Sequence, residues 1–393
     1  MRPYSLLVRL HRYVGLTIAF FLVVAGLTGS IIAFHGELDA WLNPELFHVK
    51  EGRHLPPTAL AERVEASDAR IRVAFVEVDV KPGRSAVLWV EPRPGTTDVG
   101  YNQVFADPST GVVLGQRSYG SCCLQRQAII PFLYNLHRRL TMPGHWGDWL
   151  MGGVAVLWLL DCFVALVLAA PRHIFALSGW QSVLRIRWQA SPYRVTFDLH
   201  RAGGLWPWIA LAVLALTSIS LNLDDEVVRP VVGLFSTLAP SPYDQASAGP
   251  GVAAAKLSFD DILALCGKLP EMTSRGYSAT GIYLDRQAGI YVADFASESE
   301  FMFGFAWAAF DATSGHLIGT QIPGIGRTGD IFLQLQFPLH SGRIGGLAGR
   351  IVISLLGVAI AMLSITGVII WLKKHRVRRR QREMYGGAQR STG

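Results

Sequence analysis

Charge is scarce in this chain: of 393 residues only 17% are charged, 50% are hydrophobic, and the mean hydropathy is +0.31. That excludes an ordinary soluble enzyme, while the polar remainder excludes a protein made of membrane spans alone. Cysteine is scarcer still. There are four, with no C-x-x-C and no C-x-x-C-H, which removes thioredoxin-like chemistry and covalently attached c-type haem. The apolar stretches hold almost no acid besides Asp161, and a proton or ion path normally needs such groups. No G-x-G-x-x-G is expected behind a strand. The largest piece expected in the cytoplasm is only about 30 residues, too short for a dinucleotide-binding fold.

What is present is apolar length. Four stretches, about Tyr13–Phe34, Trp149–Ala170, Leu205–Leu223 and Gly349–Leu372, suit a hydrocarbon core of about 30 Å. Basic residues gather at the N-terminus (Arg2, Arg9, Arg12), in the stretch 171–201 (five arginines against Asp198) and after Leu372 (eight basic residues against Glu383). By the positive-inside rule both termini and the middle loop are expected in the cytoplasm. The net charge of +7 is then a topology charge, and no nucleic-acid partner is expected. The first span is too long for a cleaved signal's apolar core and reads as an uncleaved anchor. The partition is therefore 1–36 (N-terminus and first span), 37–146 (first outer unit), 147–170 (second span), 171–200 (cytoplasmic loop), 201–223 (third span), 224–345 (second outer unit), 346–372 (fourth span) and 373–393 (basic tail).

The chain also repeats itself. Leu10-His11-Arg12 precedes the first span and Leu199-His200-Arg201 the third; Leu136-His137 precedes the second and Leu339-His340 the fourth. Asp107-Pro-Ser-Thr-Gly111-Val-Val-Leu-Gly115 recurs as Asp311-Ala-Thr-Ser-Gly315-His-Leu-Ile-Gly319. Each lies about 30 residues ahead of its Leu-His, the mark of two parallel copies of one unit. Both outer units read as small α+β folds. Helices are expected at Pro57–Val64 and Phe259–Cys266. Strands are expected at Ile71–Val80, Ala86–Val90, Gly281–Leu284 and Ile290–Phe295, followed by hairpins at Tyr101–Leu114 and Phe305–Ile318. The Asp-to-Gly turns are structural: Asp caps the turn and Gly supplies the positive φ.

A helix, strands and a D-x-x-x-G-x-x-x-G hairpin resemble a PepSY domain, and the Leu-His-Arg-x-x-Gly-Leu entry (His11 to Leu16) resembles the start of a PepSY-associated membrane protein. The resemblance runs from Leu10 to about Trp371. It points to the iron-regulated PepSY membrane family, whose better-understood members are bacterial inner-membrane ferric-siderophore reductases of the FoxB type carrying b-type haem. The implied fold is an α-helical integral membrane protein of four transmembrane helices in two parallel repeats, with two extracytoplasmic α+β PepSY-like domains. One departure stands out: the second copy has Asn222-Leu-Asp224-Asp225 where the first has His35-Gly-Glu37-Leu-Asp39, so the copies cannot be fully symmetric.

Histidines carry the expected chemistry, because a neutral imidazole nitrogen ligates haem iron and two at one depth make a bis-histidine site. His11 and His200, equivalent by repeat, are expected at an inner site. Any two of His35, His137 and His340 are open to an outer one. His145 and His173 stand in reserve, and Arg12 and Arg201 suit haem propionates or lipid phosphates. His11 and His35 lie about 36 Å apart along one helix and cannot share a group, which favours two haems. His48, His54, His316 and His375 read as surface residues. Cys162 reads as a packed small hydrophobe. A bridge from Cys122 or Cys123 to Cys266 is expected outside the cytoplasm, since adjacent cysteines bond only with strain.

The resemblance implies an oxidoreductase that takes electrons from quinol or a cytoplasmic reductase and passes them to a ferric siderophore outside. Reduction softens the metal and weakens its hold on hard oxygen donors. The acceptor would dock in a cleft between the two outer units and the membrane, and their acidic excess favours cationic chelates. Two rival classes stay open: a haem-free signalling or protease-regulating module, and a transporter.

Overall fold

The structure, a computed structural model, describes residues 3–390 apart from 97, 123–124, 172–174, 176, 246–254 and 298–304. Its helices of interest are α1 (Pro3–Ile32), α2 (Pro57–Ser67), α3 (Ile129–Arg139), α4 (Trp146–Ala169), α5 (Pro192–Leu205), α6 (Trp208–Asn222), α7 (Phe259–Cys266), α8 (Thr328–Ser341) and α9 (Gly346–Arg390). Three of them, α1, α4 and α9, are long and apolar enough to cross a membrane. The third span in chain order is a broken one: α5 and α6 pass the same test together but are bent by 67°.

That break corrects the expectation of a straight third span over Leu205–Leu223. Pro207 sits at the corner. A proline lacks the N–H that would continue the ladder and its ring clashes with the preceding turn, whereas the matching place in α1 is Ile18 and that helix runs on. The helix α1 also begins earlier than expected, so His11 lies inside it. A stripe of small residues seats α1 against α9. A Cβ on Gly26 would meet the Gly357 carbonyl, and Ser30 Oγ donates to Ser354 O at 2.7 Å while Ser354 Oγ donates to Ser30 O at 2.9 Å. Close backbone approach of this kind is how apolar helices associate where water supplies no driving force.

Beyond the spans, strands β1 (Ile71–Glu77), β2 (Ala86–Pro92), β3 (Gln103–Ala106), β4 (Val113–Arg117), β5 (Ser278–Asp285), β6 (Ile290–Ala296), β7 (Ala306–Asp311) and β8 (Leu317–Gln321) follow the expected ones closely. The two units do not stand apart, however. All eight strands form one antiparallel sheet in the order β4-β3-β2-β1-β5-β6-β7-β8. The joint is β1 on β5, with Phe75 opposite Tyr283 and Glu77 opposite Gly281. Arg286 of the second unit clamps it, donating to Glu91 and to Val73 O of the first. Joining the two edges hides strand groups that would otherwise template aggregation. Leu60, Val64, Ile262 and Cys266 of α2 and α7 pack with the strands into one continuous core.

Both hairpin turns take the expected form. Gly111 and Gly315 have φ of 73° and 72°. Asp107 accepts from Ser109 N–H, and Asp311 from Thr313 and Ser314 N–H. The expected bridge to Cys266 is not formed: Cys266, the last residue of α7, is a free thiol buried in the sheet core. Cys122 is disulfide-bonded, and Cys123 lies outside the described residues. The run Gly324-Ile-Gly326-Arg-Thr-Gly329 does have the G-x-G-x-x-G spacing, between β8 and α8, contrary to expectation. It is no phosphate cradle. The edge strand β8 is antiparallel, and three of the loop donors are already spent: Gly324 N–H on Gln334, Arg327 N–H on Asp330 and Gly329 N–H on Ser236.

Candidate functional site

Each repeat supplies one histidine to each of two places. His11 on α1 faces His200 on α5, with ring centres 6.0 Å apart and planes at 53°. His137 on α3 faces His340 on α8 at 6.1 Å and 52°. The second pair lies on the sheet side of the bundle, the first toward its basic end. The two short helices α3 and α8 make the sheet-side pair possible. Each follows the last strand of its unit and carries its histidine in its last turns.

Hydrogen bonds settle the tautomers. His137 Nδ1 lies 2.9 Å from Ala25 O and 3.1 Å from Thr28 Oγ1. His200 Nδ1 lies 3.0 Å from Leu363 O and 3.1 Å from Thr366 Oγ1. A carbonyl can only accept, so Nδ1 carries the proton in both rings. His340 Nδ1 meets Thr217 Oγ1 at 3.1 Å, and that hydroxyl already donates to Leu214 O. His11 Nδ1 meets both oxygens of Asp161, at 2.9 and 3.0 Å. In all four rings the hydrogen bonds use Nδ1, and Nε2 takes none among the described residues. An imidazole held by its N–H with the other nitrogen free is the arrangement of a metal-ligating histidine and its outer partner. Glycines make room for two of the rings: a Cβ on Gly29 would stand 2.9 Å from His137 Cε1, and one on Gly367 3.1 Å from His200 Cε1.

The donor set discriminates between cofactors. Among the described residues no group of three or more His, Cys, Asp or Glu could hold a bare metal ion. Two facing imidazoles suit a metal that brings its own equatorial ligands, as haem iron does. With metal–imidazole bonds of about 2 Å on opposite sides, ring centres fall about 6 Å apart, matching both pairs. The residues therefore fit haem. An apolar cavity of about 560 Å³ at the Pro207 corner, walled by Leu214, Leu339 and Leu356 among others, holds none of the four paired histidines in its lining.

The other expected residues are elsewhere. His35 bonds Ile32 O and lies beside Tyr134, 5.8 Å between ring centres, outside both pairs. His145 stacks on Trp149. His173 lies outside the described residues. Arg201 is engaged by Asp198, fully buried, and Arg12 lies over the Tyr13 ring. Neither reaches an imidazole pair. The junction cavity of about 640 Å³, with Arg72, Arg286, Glu62 and Glu65 in its wall, opens between α2 and α7, not against the spans where a docking cleft was expected. The supporting groups Thr28, Thr217, Thr366 and Asp161 were not anticipated as such. One signal for them was in the sequence: Thr28 and Thr217 keep the same spacing as His11 and His200.

The family model described as the PepSY-associated TM region matches residues 8–374. No curated protein matches the chain.

Proposed function

The chain belongs to the PepSY-associated TM family, and on that premise we propose that it is a haem-carrying oxidoreductase of the bacterial inner membrane. It reduces a ferric siderophore on the sheet side and releases the metal as Fe(II). His11 and His200 would hold one b-type haem and His137 and His340 a second, each through the free Nε2. Haem bound there supplies one-electron redox chemistry. Each Fe(III) takes one electron, drawn from a cytoplasmic reductase or from a quinol that gives up two electrons and two protons for two Fe(III), and the outer-sphere reduction of Fe(III) itself requires no protein acid or base. The basic segments at the α1 start and after Leu372 support a cytoplasmic position for that end and a periplasmic one for the sheet. Thr28, Thr217, Thr366 and Asp161 fix the rings.

The observation that carries this reading is the pair of facing imidazoles, built twice from matching positions of the two repeats with Nδ1 spent and Nε2 free. The test is an absorption spectrum of the detergent-purified protein, oxidised and dithionite-reduced, with a pyridine haemochrome count. Two haems per chain and Fe(II) trapped by a ferrous chelator from a ferric siderophore are expected. A colourless protein after expression with ample haem overturns the reading.

A further inference from the structure

The two pairs are symmetric in their ligands and asymmetric in what stands behind them. His137, His340 and His200 lean on neutral acceptors: the Ala25 carbonyl with Thr28, the Thr217 hydroxyl, and the Leu363 carbonyl with Thr366. His11 alone leans on a carboxylate, Asp161, whose side chain is 10% exposed. The fourth span, which backs His200 as the second backs His11, has Leu363 and Thr366 where the second has Asp161. Of the arginines beside the inner ligands, Arg201 is paired with Asp198 and Arg12 lies over the Tyr13 ring.

We propose that Asp161 is a positioning residue that makes the His11–His200 site the lower-potential of the two, so that the chain is built to run electrons toward the sheet. The inference rests on the haem reading above. A carboxylate accepting from Nδ1–H makes the ring a more basic ligand. Its charge in a low-dielectric interior favours the more positively charged, oxidised state of a bound metal. Nothing comparable acts on the sheet-side pair among the described residues.

The test is a potentiometric titration of the purified holoprotein, followed by its reduced absorption band, for wild type, Asp161→Asn, Asp161→Glu and His340→Ala. Wild type should titrate in two one-electron waves. Asp161→Asn, which keeps an acceptor oxygen and loses the charge, should raise the lower wave by tenfold or more in its equilibrium constant, about 59 mV per tenfold for one electron. The upper wave should stay, and Asp161→Glu should restore the lower. His340→Ala should leave only the lower wave, which settles the assignment even where Asp161→Asn sheds its haem. The inference is overturned when His340→Ala leaves the upper wave, or when Asp161→Asn moves both waves or neither with both haems bound. A wild type without haem instead overturns the functional reading itself.

Discussion

His137 and His340 face each other 6.1 Å apart on helices from different repeats, each held by its Nδ1 to a first-half or third-span hydroxyl at the same level. His35, an outer candidate from sequence, and His145, held in reserve, are outside this pair. Replacing His137 or His340 by alanine should therefore halve the haemochrome count, and replacing His35 or His145 should leave it unchanged. Loss of haem from His35→Ala with none from His137→Ala would disprove the pairing.

A buried ion pair ties the membrane bundle to the sheet. Arg117 at the end of β4 donates to both oxygens of Asp39, at 3.0 and 2.7 Å, on the short helix His35–Leu42 that leaves the first span. It also donates to Gln103 Oε1 and Gln127 O. The two side chains are 6% and 9% exposed. Removing one member strands the other charge, so Asp39→Ala should cost about 3–5 kcal/mol. Chemical denaturation in detergent reads this out; a loss under about 1 kcal/mol would show that water replaces the carboxylate.

Glu77 gives a pH dependence of opposite sign to the usual carboxylate. Burial at the end of β1 pushes its carboxyl up, against the Val87 N–H bond that lowers it. Its ionised form therefore opposes folding above the raised value, and that opposition disappears as the pH falls through it to the ordinary value of 4.5. Glu77→Gln keeps an acceptor for Val87, so it should melt higher than wild type at pH 7 to 8 and equal to it below the ordinary value. A gap that does not vary with pH would refute the burial argument.

Cys266 should resist alkylation. Burial at the end of α7 pushes its thiol up to about 12, and the thiolate is the reactive form. Iodoacetamide should add to Cys266 only after unfolding, with no reductant needed. Modification of the native protein, or release of the thiol only on reduction, would contradict a free buried cysteine.

Much of this architecture was legible because it is local. Strand alternation, the Asp-to-Gly turns and helix Phe259–Cys266 depend on neighbours a few residues away, and they fall where the periodicity puts them. The Leu-His repeats named all four paired histidines, because repetition marks equivalence whatever the fold. Equivalence does not say which side chains meet. That His137 reaches Ala25 and Thr28 while His35 folds back on Ile32 depends on α3 returning to α1, a contact between segments remote in the chain.

By itself, then, the sequence determined the span count within one broken helix, the charge asymmetry of the ends, the strands and the set of candidate ligands, since each follows from composition or short-range pattern. The tertiary structure alone decided the rest. It joined two units into one sheet through the β1–β5 edge, turned the third span by 67° at Pro207, left Cys266 free and chose two pairs from many histidines. It also set Asp161 behind one ring of the four. These outcomes depend on hydrogen bonds and packing between residues that only the folded chain brings within reach.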